Sequence, residues 1–167
     1  MLIEDLLDEM LVNKDMFVVT DTKFTEGPEV YTQFYRLVEI ALLKDPKLLD
    51  RVIPQIYNEA MYDTVMSLYD FPSVIYTAYA TGATGDEIID FSIAHDNIKV
   101  ITAPIDDWRF DEPAIERLHE NGLLIYNHTV QTYEDMVFYR DKGIDGLYSA
   151  LLLPRDMEVY EEAIKEE

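Results

Sequence analysis

The sequence predicts an α/β fold in which parallel β-strands alternate with helices, and three observations lead to this prediction. Short runs rich in β-branched and aromatic residues alternate with amphipathic stretches along the chain. The runs are continuously apolar, as expected for strands buried on both faces. The later runs begin roughly 20–25 residues apart, a spacing that suits repeated βα units. The six runs are residues 16–23, 51–58, 73–80, 98–104, 122–130 and 145–153.

Stretches with helical signals precede and follow these runs and complete the order of elements. An amphipathic segment, Ile3–Val12, comes before the first run. Pro28 is predicted to start the next helix, because proline is favoured in a first turn. Thr132 is a predicted N-cap, and Gly122 and Gly143 are predicted to end their helices. The predicted helices are residues 3–12, 27–43, 58–70, 84–95, 111–122, 132–143 and 154–167.

Two architectures fit this order of elements: an open doubly wound sheet and a βα barrel. The glycine-rich motifs of nucleotide-binding folds do not follow the first run. The stretch "TGATG" (81–85) has no lysine and is interpreted as an ordinary βα loop. A complete eight-unit barrel needs around 250 residues, so this chain of 167 residues has room for about six units. The barrel alternative is therefore an incomplete, TIM-barrel-like one with six strands.

Composition and charge exclude several classes of protein. The 34 acidic and 13 basic residues give a net charge of −21, which argues against nucleic acid and anionic membranes as partners. Without cysteine, the chain has no disulfide or cysteine-based zinc site. No apolar run approaches the roughly 18 residues of a membrane span, and the acidic N-terminus is unlike a signal peptide. A single soluble domain is expected, with the cytoplasm as the favoured compartment.

Polar side chains end every predicted strand, on the side where βα barrels carry their active sites. Strands also turn polar simply where they leave the core. The pattern is therefore equally consistent with an active-site face and with ordinary strand ends. Asp21 and Lys23 are a sharper signal, because side chains two residues apart share one face of a strand. They predict either an ion pair or a metal-binding carboxylate beside a phosphate-binding ammonium. The other strand-end residues are Gln55, Tyr57, Thr77, Tyr79, Thr102, Asn127, His128, Thr129 and Ser149.

The histidines and the loop with the only tryptophan are weaker candidates. His95 and His119 lie near the predicted C-termini of helices, where a structural role is expected. His128 lies at a strand end, and its role stays open between structure and function. Asp106 and Asp107 could be metal ligands, but the loop that holds them is interpreted as solvated. No HxH or HExxH pattern is present, so a histidine-based metal site is not expected.

The strand ends, taken in this order, resemble those of the glycerophosphodiester phosphodiesterases, a family of TIM barrels. The stretch "TDTK" resembles the acid-x-Lys signature of that family's third strand, with Asp21 in place of the usual glutamate. The stretches "VIPQIYN" and "SVIYTAYA" resemble the next two strands of a bacterial branch. The resemblance covers essentially the whole chain, as the family's strands three to eight.

The most specific part of the resemblance is "LLIYNHTVQTYEDMVFYRDKGIDGLYSALL", which is similar to the last two strands of the family. Gly143, Asp145 and Gly146 fit the family pattern directly. His128 stands where many members have tryptophan, and Gln131 stands where they have asparagine.

The resemblance implies metal-dependent hydrolysis of a glycerophosphodiester to glycerol phosphate and an alcohol, an activity of lipid metabolism, with Mg²⁺ or Ca²⁺ as the cation. It implies Asp21 as a metal ligand. It also implies Lys23, Gln55 and His128 as contacts to a small phosphodiester or phosphate ligand. The family's H-R pair, its E-x-D metal pair and its second catalytic histidine have no counterpart here, so no catalytic residue is predicted.

Residues 1–167 are therefore expected to form one domain of this family that lacks the first two βα units. Three interpretations stay open: a fragment of a longer enzyme, a remnant that no longer catalyses, and a barrel that a partner completes. Because an incomplete barrel has two exposed edge strands, a homo-oligomer is expected. The chain alone is predicted to have little or no activity. The alternative is a non-catalytic binding or assembly module with a small-anion pocket around Lys23.

Overall fold

The computed structural model describes residues 2–153, so the helix predicted at 154–167 lies outside the described residues. The helices are α1 Ile3–Val12, α2 Pro28–Lys44, α3 Glu59–Met66, α4 Gly85–Ile93, α5 Glu112–Glu120 and α6 Tyr133–Asp141. The strands are β1 Val18–Val19, β2 Val52–Ile53, β3 Gln55–Ile56, β4 Val74–Thr77, β5 Ile98–Pro104, β6 Leu124–His128 and β7 Gly146–Tyr148. Two 3₁₀ turns, Pro46–Arg51 and Ala78–Ala80, precede β2 and follow β4.

All strand pairs are parallel, and strands that are neighbours in the chain are neighbours in space. β1 pairs with β2, while β3 to β7 form a five-stranded sheet in chain order. Pro54 separates β2 from β3 because it has no N–H to donate to the ladder. The carbonyl of Pro54 still accepts from the N–H of Ile75 at 2.9 Å. The predicted α/β fold of parallel strands is confirmed, with the run at 51–58 divided into β2 and β3, and within residues 2–153 the strands do not close into a barrel.

The two edge strands are shorter than the runs that predict them. β1 has two residues and β7 has three, although their apolar runs are eight and nine residues long. Among residues 2–153, each edge strand is paired on one side only, so fewer ladder bonds hold its ends in the sheet. At the end of β1 the hydroxyl of Thr20 accepts from the N–H of Gln55 at 3.2 Å, so a side chain replaces the next ladder bond.

Several helices begin or end at the residues that the sequence indicates, but α3 ends at Met66, four residues before the predicted end. Thr132 accepts a hydrogen bond from the N–H of Asp135 at 3.1 Å, as predicted for an N-cap. Pro28 is the first residue of α2. Gly122 and Gly143 follow helix ends with φ of 72° and 91°, a left-handed conformation that favours glycine.

The core lies between the sheet and the helices. The apolar stripe of α2 is buried along its length, and the apolar faces of α3, α4 and α5 join it in one cluster with the strands. The buried residues of the α2 stripe are Val30, Phe34, Leu37, Val38, Ile40 and Ala41. Among residues 2–153, no helix has both the length and the apolar character needed to cross a membrane.

Candidate functional site

The carboxyl ends of the strands meet at one rim, and four of the predicted polar residues, Gln55, Thr77, Thr102 and His128, lie on the sheet face that points away from the helices, whereas Asn127 lies on the other face. The register pairs Gln55 with Ile75 and Thr77 with Thr102, and the hydroxyl of Thr102 donates to that of Thr77 at 3.0 Å. Ile75 and Val100 lie on the same face; both are buried, but they lie outside the main core. This face corresponds to the inner wall of a barrel, where active-site residues are expected.

Asp21 and Gln55 converge on the hydroxyl of Tyr57. The Tyr57 hydroxyl donates to Oδ1 of Asp21 at 2.5 Å, and Nε2 of Gln55 donates to the same hydroxyl at 3.3 Å. Burial, together with the carboxylate of Asp21, raises the pKa of Tyr57 far above its ordinary value. Tyr57 is therefore a neutral donor that fixes the orientation of the Asp21 carboxylate. Two of the predicted site residues are thus brought together through a tyrosine.

A row of aromatic rings connects this group to His128. The rings of Tyr57 and Tyr79 meet edge to face with centroids 5.5 Å apart, and the rings of Tyr79 and His128 meet in the same way at 5.8 Å. Edge-to-face contacts of this length are favourable for aromatic pairs. Asp21, Gln55 and His128 therefore lie along one continuous stretch of the rim.

His128 is held as a neutral ring with one nitrogen free. Its Nδ1 lies 3.0 Å from the hydroxyl of Thr129, whose φ of 73° turns the chain sharply after β6. Its Nε2 is buried and has no hydrogen-bond partner in the described structure. Burial lowers the pKa of His128 below its ordinary value, and the charge of Asp107 opposes this shift in part. Nε2 of His128 is therefore a buried polar atom that the surrounding residues leave unpaired.

An ion pair between Asp107 and Arg109 lies behind His128, and the sequence interpretation missed it. Nη2 of Arg109 is 2.7 Å from Oδ2 of Asp107, and both side chains are largely buried, at 12% and 7% exposure. Arg109 also donates to the carbonyls of Ala78 and Ala83 at 2.9 and 3.1 Å, which fixes the loop after β4. The interpretation of Asp107 as part of a solvated loop is therefore corrected. The sequence feature that could have indicated this ion pair is the Asp-x-Arg spacing within a βα loop.

Lys23 is not brought into contact with Asp21. β1 ends at Val19, so Asp21 and Lys23 lie in the following loop, where the same-face rule for strands does not apply. Lys23 is exposed, and the described structure contains no ion pair or hydrogen bond of its side chain. Its ammonium group is free to contact an anion that approaches the rim. Its assignment as a phosphate contact remains a prediction.

The described residues do not by themselves fit a divalent cation. A hard cation of the Ca²⁺ type takes about six to eight oxygen ligands. Within residues 2–153, no three acidic or histidine side chains lie close enough together to hold a metal. Asp21 has one carboxylate oxygen bonded to Tyr57 and the other without a protein partner among these residues. It can therefore supply a ligand to a cation, but further ligands would have to come from elsewhere.

The other two histidines have the structural roles that the sequence predicts. Nδ1 of His95 lies 2.7 Å from the carbonyl of Phe91, and the His95 ring packs against the ring of Tyr62 at 4.5 Å. Nε2 of His119 lies 3.0 Å from Oδ2 of Asp145, and this contact ties α5 to the start of β7. Neither histidine lies at the rim.

Several solved structures that superpose on this chain are described as glycerophosphodiester phosphodiesterases. A glycerophosphodiester phosphodiesterase from Parabacteroides distasonis superposes with a TM-score of 0.69 at 16% identity, over 97% of this chain and 64% of that one. A protein from Galdieria sulphuraria assigned to the same activity superposes with a TM-score of 0.61 at 12% identity. The superposition covers 87% of this chain and 58% of that one. A third protein, from Silicibacter pomeroyi and also assigned to this activity, superposes with a TM-score of 0.59 at 14% identity. The superposition covers 89% of this chain and 52% of that one.

These likenesses show the fold: most of this chain has the architecture of part of a glycerophosphodiester phosphodiesterase barrel. The chain spans about half to two thirds of the length of these structures. No protein-family model matches the sequence, and no curated protein matches it significantly. The expected resemblance to this fold is confirmed at the level of structure.

Proposed function

We propose that this chain is a glycerophosphodiester phosphodiesterase-type domain that carries the family's strands three to eight, and that its rim binds a small phosphodiester. The main support is the convergence of Asp21, Gln55 and Tyr57 at the strand ends of a fold that phosphodiesterases share. The reaction in which such a domain takes part is hydrolysis of a glycerophosphodiester to glycerol phosphate and an alcohol. The first two βα units of the domain are not part of this sequence.

The rim residues suit binding better than complete catalysis. Lys23 can place a positive charge against a phosphate oxygen, which offsets part of the chain's net charge of −21. Gln55 can exchange hydrogen bonds with ester or hydroxyl oxygens, and His128 lies further along the same rim. Acid–base groups contribute roughly 10²–10⁴-fold each, and no such pair is assigned here. We therefore expect a bound divalent cation and hydrolysis only if other residues complete the site.

Hydrolysis by the purified chain tests the catalytic part of this proposal. Glycerophosphocholine and a chromogenic phosphodiester are supplied with Mg²⁺, Ca²⁺ or Mn²⁺, and the Asp21→Ala variant is the control. We expect no turnover above the rate of that variant, because within residues 2–153 no three acidic or histidine side chains are grouped to hold a metal. Metal-dependent turnover that disappears in Asp21→Ala would show that this chain carries a complete site and would contradict the expectation.

Binding of sn-glycerol 3-phosphate, followed by NMR chemical shifts, tests the ligand site separately. We expect Lys23→Ala to weaken binding about tenfold, because charge-assisted hydrogen bonds are worth about 1.5–3 kcal/mol. Lys47→Ala is the matched control, since Lys47 is also exposed but precedes β2, at the amino end of the strands. Equal affinities of the two variants for sn-glycerol 3-phosphate would show that Lys23 does not contribute to the binding site.

We also propose that a second copy of the chain pairs with the exposed edges of the sheet. Within residues 2–153, β1 and β7 each have one side without a neighbouring strand. Apolar side chains are exposed beside both edges, with Phe17 at 60% and Leu151 at 69% exposure. Open parallel edges with apolar flanks favour pairing with another chain.

A further inference from the structure

The end of α5 carries an asparagine followed by a glycine, Asn121 and Gly122, and this pair takes no part in the rim. It lies directly before β6, at the amino end of the sheet, whereas the rim lies at the carboxyl end. Both residues are exposed, and the space beside Gly122 is open, because a Cβ there would meet no atom within 4 Å. Solvent and base therefore reach this pair directly.

Asparagine before glycine is a chemically reactive pair, because glycine has no side chain that hinders approach to its backbone nitrogen. The nitrogen of Gly122 loses its proton to base and forms a bond to Cγ of Asn121, while the amide nitrogen of Asn121 takes up a proton and leaves as ammonia. The product is a five-membered succinimide ring. Water opens this ring to aspartate or to isoaspartate, whose backbone contains an additional carbon. The ring closes only when the nitrogen of Gly122 lies on the same side as Cβ of Asn121.

The C-terminal cap of α5 holds the backbone away from this geometry. The N–H of Gly122 donates to the carbonyl of His119, and that of Leu123 donates to the carbonyl of Leu118, each at 3.0 Å. These two hydrogen bonds, with the φ of 72° at Gly122, form a Schellman motif. Within this motif Asn121 has a ψ of 9°, which places the nitrogen of Gly122 almost in line with the nitrogen of Asn121 and away from its Cβ.

The side chain of Asn121 is also held in place. Its Nδ2 donates to the carbonyl of Arg117 at 2.8 Å, which directs the amide back along the helix. The proton of the attacking nitrogen lies in a hydrogen bond, and such a proton is lost to solvent base only when the bond opens. Rotation of ψ away from 9° breaks the hydrogen bond from Gly122 to His119, so the ring does not close while the cap is intact.

We infer that Asn121 is a site of spontaneous covalent modification, which the native cap of α5 keeps unreactive and which reacts when this helix end opens. Helix ends open locally in native proteins without global unfolding. This inference does not rest on the proposed phosphodiester site, which lies at the other end of the strands.

The product of the reaction opposes closure of the same helix end. Modification replaces the amide donor of Asn121 by a carboxylate at a helix C-terminus, where negative charge is unfavourable. In the isoaspartate product, the additional backbone carbon also displaces the N–H of Gly122 from the carbonyl of His119. Each modified copy therefore retains a weakened cap, and the modified fraction records how often the end of α5 has opened.

Rates of modification in the folded and the unfolded chain give the first test. The chain is incubated near neutral pH in buffer and in concentrated urea, and mass spectrometry of its peptides measures aspartate and isoaspartate at position 121. We expect modification to be at least about tenfold slower in buffer, because the hydrogen bonds of Gly122 and Asn121 must break before the ring closes. Equal rates in buffer and in urea would overturn the inference.

Two variants separate the effect of the cap from the chemistry of the pair. Thr81→Asn places an asparagine before Gly82, in the loop after β4, where ψ is 148° and no helix cap holds the N–H of Gly82 in the described structure. Lys142→Asn places one before Gly143, where α6 ends with the same two hydrogen bonds and a ψ of 0°.

In the folded chain, the pair made by Thr81→Asn is expected to react at least about tenfold faster than Asn121, and the pair made by Lys142→Asn about as slowly as Asn121. In urea all three pairs should react at similar rates. Equal rates at positions 81 and 121 in the folded chain would contradict protection by the cap.

Thermal unfolding tests the effect of the product on the fold. The isoaspartate form is isolated by chromatography after prolonged incubation and is compared with the parent and with Asn121→Asp, which adds the charge alone. We expect the midpoint to fall from the parent to Asn121→Asp and further to the isoaspartate form. An isoaspartate form as stable as the parent would overturn the inferred weakening of the cap.

Discussion

Tyr57 is the residue through which the rim is organised. It is buried at 1% exposure, it holds Asp21 through a 2.5 Å hydrogen bond, and its ring contacts that of Tyr79. The sequence pattern marked Tyr57 only as one polar strand end among several. Its importance depends on two contacts, one to a residue 36 positions earlier in the chain.

His128 gives a prediction at the scale of a single residue. Its pKa is lowered in the folded protein, so folding favours the neutral ring. This contribution is fully present above the unfolded-state pKa of about 6.5 and is lost as the pH falls towards the folded-state value. Urea unfolding between pH 5 and 7.5 should therefore show a steeper loss of stability on acidification for the parent than for His128→Gln. Parallel pH profiles would mean that burial of His128 does not oppose its protonation.

At the scale of elements, the loop between β4 and α4 is positioned by Arg109 rather than by its own glycines. Arg109 reaches back to the carbonyls of Ala78 and Ala83, and its own carbonyl packs against Gly85 at the start of α4. The interpretation of "TGATG" as an ordinary βα loop identified its location correctly. The close packing of its last glycine depends on a segment 24 residues further along, and no local pattern contains that information.

Gly85 and Gly82 make a matched pair for testing this packing. A Cβ at Gly85 would overlap the carbonyl oxygen of Arg109, whereas a Cβ at Gly82 would meet no atom within 4 Å. We expect Gly85→Ala to lower the free energy of unfolding by about 1–3 kcal/mol, as overpacking against a backbone does. Gly82→Ala should change it by less than about 0.5 kcal/mol. Equal values from denaturant titrations would show that the loop moves freely to accommodate the methyl group.

At the scale of the whole molecule, two effects act in opposite directions on self-association. The exposed edges of β1 and β7 favour pairing with a second copy, while a net charge of −21 on each copy opposes it. Because about 0.1 M salt screens charges over roughly 10 Å, added salt should shift this balance towards association.

Sedimentation equilibrium over a range of protein and salt concentrations tests the association of copies. We expect a mass above that of the monomer, which rises with both concentrations. Val19→Lys places a charge on the β1 edge and should shift the equilibrium towards monomer. Val12→Lys, at an exposed position at the end of α1, is the control. A monomer under every condition would contradict the proposed pairing.

Local sequence patterns are enough to predict the α/β class, the chain order of the parallel strands and the helix ends at Pro28, Thr132 and Gly143. These features follow from local rules of periodicity, capping and glycine conformation, which act within a few residues. Tertiary structure alone decided where β1 ends, that Lys23 stays apart from Asp21, and that Asp107 is buried with Arg109. These outcomes depend on which side chains meet across the sheet, because burial and pairing are properties of contacts between distant segments.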